Sequence, residues 1–380
     1  MKLWPTQLLG KISESVMGQA PPGDECNFDG VGTPFVKAGE FGEGRPIIRE
    51  WTTKPLKFAK STDVLVCVVG ATCGKLNLGA DCAIGRSVAA IRPNPLLLNQ
   101  GFLYAFLQGW TLKLRSGSQG SAQGVITRDM LASIPIPLPP LAEQERIVKL
   151  FDNADDLRKL RAQADHRTDD LIPALFHEMF GDPISNSYGW PCSPLGTHLE
   201  FLTSGSRGWA KYYAESGATF LRIQNVGNNQ LLLDDLTFVV APENAEANRT
   251  KVRSGDVLLS ITADLGRTAV IPKDFPQTYI NQHLSLLRLR DLDPTFVAAT
   301  LSSPRGKSKW LELNRSAVKS GLNFNDIRSF PLIVPPLALQ KEFAQRVTEI
   351  RELEASQATS RTRLDTLFQS MLHRAFNGDL

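Results

Sequence analysis

Pro139-Pro140-Leu141-Ala142-Glu143-Gln144 recurs as Pro335-Pro336-Leu337-Ala338-Leu339-Gln340, and this pair of hexapeptides decides the fold. Each closes a proline-marked apolar run, Ile134 to Leu138 in one copy and Phe330 to Val334 in the other. Each then opens about forty residues of helical periodicity, ending on His177...Phe180-Gly181-Asp182 and on His373...Phe376-Asn377-Gly378-Asp379. The copy extends upstream: Leu9-Gly10 pairs with Leu195-Gly196, Phe35-Val36-Lys37 with Phe220-Leu221-Arg222, Asp63-Val64-Leu65 with Asp256-Val257-Leu258, and Ile84 to Arg92 with Ile280 to Arg288. The repeating unit is a globular segment followed by a long helix, so the chain is a duplicated domain rather than a solenoid. The expected boundaries are 1–138 for the first globular segment, 139–181 for its helix, 182–334 for the second globular segment and 335–380 for its helix. A protein built so grips something that has two halves.

With 380 residues, 42% hydrophobic and 21% charged, the chain can hold two domains with real cores. No apolar run approaches the roughly 18 residues of a membrane span, and Met1 to Gly10 has no signal-peptide core, so a cytoplasmic protein is expected. The five cysteines, Cys26, Cys67, Cys73, Cys82 and Cys192, include no CxxC pair. Cys67, Cys73 and Cys82 lack an obvious fourth ligand for zinc, which favours free thiols packed as small apolar residues in a reducing compartment. Net charge is only +3, and the helical stretches carry more acid than base, so any polyanion is gripped by the globular parts.

Residues 1 to 138 read as short apolar runs divided by Gly and Pro: Thr33 to Ala38, Asp63 to Gly70, Ala83 to Ile91. Val64, Val66, Val68 and Val69 are β-branched and stop at Gly70, which favours strands. Phe102, Leu103, Phe106 and Leu107 repeat at helical spacing, with a counterpart from Pro294 to Leu301. Each globular unit is therefore α+β. Superposing the two helical stretches aligns Ile147, Phe151, Ala154, Leu157, Arg161, Ala164, Thr168, Leu171 and Leu175 with Phe343, Val347, Ile350, Leu353, Gln357, Ser360, Leu364, Leu367 and Met371. A stripe repeating about every 3.5 residues is a coiled-coil seam. At 1.5 Å per residue each helix makes a rod of about 60 Å. The expected fold is two globular domains joined by two long antiparallel helices, a tandem repeat with a pseudo-twofold axis, polar near the middle of the seam. Pro173 predicts a kink in the first helix only.

Catalytic patterns are missing. Gly70-Ala71-Thr72-Cys73-Gly74-Lys75 is one residue short of a phosphate loop, and Leu76 stands where magnesium needs a hydroxyl. Ala263-Asp264-Leu265-Gly266-Arg267 fills the same place in the second copy without that pattern. There is no Asn-Pro-Pro-aromatic or Asp-Pro-Pro-aromatic tetrapeptide of an amino-methyltransferase, and no acidic-x-Lys tripeptide of the common nuclease cores. The five histidines are scattered, and His177 and His373 read as structural residues at helix ends.

The ordered motifs resemble the specificity subunit of type I restriction-modification enzymes over essentially the whole chain. Pro139 to Gln144 and Pro335 to Gln340 look like that family's start of its shared helical regions; Ile134 to Leu138 and Gly120-Ser121-Ala122-Gln123 are similar to the end of its target-recognition domains. Ala83 to Pro93 and Ile280-Asn281-Gln282-His283-Leu284 look like family strands, and Ser316 to Gly321 replaces the Gln-containing loop in the second copy. The resemblance implies a non-catalytic subunit that reads two half-sites of a bipartite DNA target, one per recognition domain. It also implies no cofactor in this chain, S-adenosylmethionine on partner modification subunits, of which two are expected, and ATP and magnesium on restriction subunits. A self-sufficient DNA methyltransferase or nuclease, or a coiled-coil adaptor that binds only proteins, are the alternatives.

Base reading suits Arg or Lys to guanine and Asn or Gln to adenine, on exposed loops that a groove admits. The candidates are Lys37, Arg86, Gln119, Gln123 and Arg128 in the first unit, and Arg222, Gln224, Asn225, Arg267, Gln282, His283, Lys319, Asn323 and Asn325 in the second. Ser118, Ser121 and Lys75 suit phosphate contacts better. The two units share anchors but little loop sequence, so the half-sites should differ and the target should be asymmetric.

Overall fold

The computed structural model describes residues 4–117, 124–314 and 321–377, in two compact units: Met1–Ala162 with Ala358–Leu380, and Gln163–Gln357. In the first unit, Ser13–Met17, Val88–Pro93, Val64–Cys67 and Leu76–Leu78 form an antiparallel sheet in that order. A second sheet runs Cys26–Asn27, Glu50–Thr52, Thr33–Val36, Cys82–Ile84, Phe58–Ala59, with Thr33–Val36 and Cys82–Ile84 parallel. Thr6–Leu8 pairs with Pro135–Pro137.

The second unit repeats this almost strand for strand. Leu199–Ser204, Leu284–Leu289, Val257–Ser260 and Thr268–Val270 form the antiparallel sheet. Tyr213–Ala214, Thr237–Val239, Ala218–Leu221 and Thr278–Ile280 form the mixed one, again with a single parallel pair, and Cys192–Pro194 joins Pro331–Ile333. Phe58–Ala59 has no counterpart strand among the described residues of this copy; Lys251, after the helix Ala245–Thr250, makes only an isolated bridge to Tyr279.

The uninterrupted apolar run in Val64–Cys67 follows from burial on both faces. Val64 and Val66 enter the core under the helix Gln100–Gly117, while Leu65 and Cys67 enter a second core between the sheets. Val257 and Leu259 against Leu258 divide in the same way. The aspartate preceding each run is buried and holds an arginine of the neighbouring strand by two hydrogen bonds. Arg92 donates to Asp63 at 3.0 and 2.9 Å, and Arg288 to Asp256 at 2.8 and 2.7 Å. Burial pushes the Cys67 thiol up to about 11 and the Cys82 thiol to about 12, so both behave as small apolar groups.

The duplicated hexapeptide ends on a buried clamp. Gln144 accepts the Asn99 N–H at 2.8 Å and donates to the carbonyls of Leu97 at 2.9 Å and Pro139 at 2.8 Å. Gln340 accepts the Asp293 N–H at 3.0 Å and donates to Pro335 O at 2.8 Å. Asn99 and Asp293 themselves cap the following helices by accepting the N–H groups of Phe102 and Phe296. One glutamine thus locks the start of each long helix to the start of a helix in its own globular part.

The first helical stretch is Leu141–Asp169 followed by Leu171–Phe180, and the second is Leu337–Asn377. The kink expected at Pro173 is a break at Asp170, because proline has no N–H to give the preceding turn and its ring crowds the carbonyl four residues back. Within each unit the two stretches run antiparallel. In the first, Phe151 meets Phe368 and Phe376, Arg158 donates to Asp365 at 2.9 Å and Arg161 to Ser360 at 3.1 Å. In the second, Thr168 donates to Gln357 at 3.0 Å, and Phe176 and Phe180 meet Phe343 at 5.6 and 5.4 Å. The expected polar middle of the seam consists of these Arg161–Ser360 and Thr168–Gln357 pairs.

Four seam leucines require correction: Leu157 and Leu367 are 54% exposed, and Leu171 and Leu353 are exposed as well. The inward face instead uses Ile147, Phe151, Ile172, Phe176, Phe343 and Val347, with Ile350 and Leu364 half-buried. It advances by about 3.6 residues per turn, so a strict seven-residue repeat drifts off it. The same advance carries the inward face to Ile172 rather than Leu171. These inner residues belong to the globular cores too: Ile147 and Phe151 lie with Phe102, and Phe343 and Val347 with Phe296. Helix pairing and domain packing are therefore the same contact.

Candidate nucleic-acid interface

In each unit one tight turn carries the chain from the mixed sheet to the antiparallel sheet. In the first unit it is Gly85-Arg86-Ser87, between Cys82–Ile84 and Val88–Pro93. Gly85 N donates to Val36 O, Val88 N to Gly85 O, and Val68 N to Ser87 O, at 2.9, 2.9 and 2.8 Å. The turn Asn281-Gln282-His283, between Thr278–Ile280 and Leu284–Leu289, repeats all three bonds, from Asn281 N to Leu221 O, Leu284 N to Asn281 O and Ile261 N to His283 O, at 3.0, 3.1 and 3.0 Å. Val68 O and Ile261 O then accept the N–H groups of Ile126 and Leu322, where the chain returns after residues 118–123 and 315–320. Strand end, turn and returning loop are so gathered at one edge of each unit.

Arg86 is exposed on this edge with no hydrogen-bond or ion-pair partner among the described residues, and Arg128, at the start of the helix Arg128–Ala132, is exposed likewise. In the second unit Gln282 and His283 line a cleft of about 290 Å3 with Trp209, Tyr213 and Phe220. The Gln282 amide nitrogen lies 2.9 Å from His283 Nε2, and His283 Nδ1 lies 2.7 Å from Thr262 Oγ1. Since the amide nitrogen can only donate, Nε2 accepts and Nδ1–H donates to Thr262. Among the described residues, the other N–H and the carbonyl oxygen of Gln282 have no partner. Asn325 is exposed, and its backbone N–H is held by Asn323 Oδ1.

Several expected readers are engaged elsewhere. Asn225 is removed from the candidates, because it is buried and its side chain bonds Arg222 N and the carbonyls of Leu232 and Asp235. Asn323 caps the helix Phe324–Ser329, accepting from Asn325 N and Asp326 N, as Thr127 caps its counterpart. Lys75 turns its ammonium onto Phe41 O at 2.6 Å. Lys37 pairs with the buried Glu50; burial alone would lower its pKa, but the hydrogen bond and charge of Glu50 hold it above the ordinary value. Arg222 and Gln224 share Asp235 at 3.1 and 2.6 Å, and Arg267 pairs with Asp264. Ser118, Gln119, Ser121, Gln123 and Lys319 lie outside the described residues.

Sequence reasoning missed the positioning roles of Thr262 and Ser87, whose hydroxyl accepts the Ala38 N–H at 3.2 Å. Ser87 is signalled in the sequence only by its place in the turn, and Thr262, 21 residues from His283, carries no local signal at all. No group of three or more His, Cys, Asp or Glu able to hold a metal occurs among the described residues. No described helix is long and apolar enough to cross a membrane.

The chain matches the family described as type I restriction modification DNA specificity domain over residues 1–165 and 211–361. A putative type I restriction enzyme MjaX specificity subunit of Methanocaldococcus jannaschii is 35% identical over 162 residues, a stretch that is 42% of this chain and 38% of that protein. The type I restriction enzyme EcoKI specificity subunit of Escherichia coli K12 is 25% identical over 334 residues, 80% of this chain and 70% of the relative. Among solved structures, a chain from a study of complex assembly and conformational transition of the type I R-M system has a TM-score of 0.71 at 22% identity, covering 100% of this chain and 99% of that one. The HsdS subunit from Thermoanaerobacter tengcongensis has a TM-score of 0.54 at 21% identity, with 100% and 98% covered. The structural likeness speaks for the fold. The match to both halves, together with a fold that repeats itself almost strand for strand, places this chain in the type I restriction modification DNA specificity family.

Proposed function

We propose that this chain is the non-catalytic DNA-reading subunit of a type I restriction-modification complex, with 1–138 and 182–334 as its two target-recognition domains and 139–181 and 335–380 as the linking helices. One observation carries the reading. The same rigid turn is built twice with identical backbone bonds, yet it presents Arg86 in one unit and Gln282 in the other. A duplicated scaffold with different side chains at the same turn suits two unlike half-sites.

The helices supply the second half of the reading. Leu157 with Leu367 in the first unit, and Leu353 with Leu171 in the second, are exposed at matching positions of the duplication. Exposed leucines at equivalent positions of the two units suit two modification subunits, which would carry S-adenosylmethionine, while restriction subunits would bring ATP and magnesium. A DNA target agrees with a cytoplasmic setting.

The test is to incubate the chain with DNA and labelled S-adenosylmethionine, with and without modification subunits, and to sequence the methylated sites. Methylation of one bipartite sequence only when the partners are present is expected. Replacing 1–138 by the matching segment of a relative should change one half-site and keep the other. Methyl transfer by the chain alone would overturn the reading in favour of a self-sufficient enzyme.

A further inference from the structure

We infer that the turns at 85–87 and 281–283 are the base-reading elements of the two units, with Arg86 taking a guanine and Gln282 an adenine in the major groove; this rests on the DNA-reading function proposed above. Both turns are fixed by the strands they join and by a glycine pressed against each. Gly18 donates to Val88 O at 2.9 Å and Gly205 to Leu284 O at 3.1 Å. A Cβ on Gly18 would come within 2.2 Å of Gly85 O, and one on Gly205 within 2.1 Å of Asn281 O. No other residue fits there, so turn and neighbouring strand form one rigid edge. A base reader needs such a mount, because bidentate recognition fails when the side chain is misplaced by a fraction of an ångström.

The side chains on this mount differ in the way the two purines differ. Guanine offers two acceptors in the major groove, O6 and N7, and adenine offers N7 beside the N6 donor. Arg86 has only donors, in a planar fork, and no carboxylate among the described residues competes for them. Arg222, Arg267 and Lys37, by contrast, are held by Asp235, Asp264 and Glu50. Gln282 has one N–H committed to His283, which among the described residues leaves one donor and one acceptor, the pair adenine requires. His283, whose Nδ1 lies 2.7 Å from Thr262 Oγ1, is a positioning residue: its Nε2, 2.9 Å from the Gln282 amide nitrogen, holds one side of that amide in place.

The experiment uses the full chain assembled with its modification subunits, and duplexes in which each base pair of the methylated site is varied in turn. For Arg86→Ala, discrimination at a single G·C pair of one half-site should fall by roughly ten- to a hundredfold, with all other positions read as before. Gln282→Ala should do the same at a single A·T pair of the other half-site, and His283→Ala should weaken discrimination at that same pair and nowhere else. Arg86→Gln should shift preference at its position from guanine to adenine. Should Arg86→Ala fail to assemble, Arg86→Lys keeps the charge without the fork, and it must lose discrimination at one position only. Unchanged base preference in these variants, or a loss spread evenly over all positions, overturns the inference. A wild-type complex that selects no bipartite sequence would instead overturn the functional reading beneath it.

Discussion

Replacing Gln144 by leucine tests whether the duplicated hexapeptide is a structural clamp. The side chain is fully buried and makes three hydrogen bonds, to Asn99 N–H and to the carbonyls of Leu97 and Pro139. Leucine fills the space but orphans all three backbone groups. Each costs about 1–3 kcal/mol if water cannot reach it, and only the Pro139 bond is fully buried. A net loss of about 2–5 kcal/mol is expected, a large share of the roughly 5–15 kcal/mol of a typical domain. Gln340→Leu breaks the bonds to Asp293 N–H and Pro335 O and should cost somewhat less. Gln144→Glu supplies the sign. Its carboxylate would face the carbonyls of Leu97 and Pro139, which disfavours the charged form and raises the folded-state pKa above the unfolded one. The variant should therefore be most stable at acid pH, where the carboxyl is protonated in both states, and lose stability as pH rises through the carboxyl range. Urea unfolding read by hydrogen exchange, which separates the two units, measures both effects. A Gln144→Leu cost below about 1 kcal/mol, or a Gln144→Glu stability that does not fall with pH, would refute the clamp.

Leu157→Lys with Leu353→Lys should change unfolding of the free chain by less than about 0.5 kcal/mol, because both leucines are exposed, but should weaken capture of modification subunits in a pull-down. Phe151→Lys, which places a charge among Phe102, Phe368 and Phe376, should destabilise the first unit by several kcal/mol in the same unfolding assay. A thiol reagent at pH 8 should label the exposed Cys192 in the native chain, and Cys67 and Cys82 only after unfolding, as mass spectrometry of the labelled peptides would show. Four residues inserted near Ala164 add about 6 Å to the first helix, so sequencing of methylated sites should find the gap between half-sites lengthened by one or two base pairs with both half-sites kept.

The sequence by itself determined the duplication, the α+β class of each unit and the places of most strands and helices. These depend on local rules: β-branched runs ending at glycine, helical spacing of Phe102, Leu103, Phe106 and Leu107, and proline before the long helices. Local rules also located the break at Pro173, displaced by a few residues to Asp170. The tertiary structure alone decided which faces are buried and which polar groups are free. Asn225 and Gln282 both follow strands and look alike as amides, yet one is sealed against Leu232 and Asp235 while the other, half-buried on a turn, lines a cleft. Leu157 and Phe151 share one periodic stripe, yet only Phe151 meets rings from the opposing helix. Burial is set by what the fold brings across from distant parts of the chain, and periodicity within one segment carries no information about that partner.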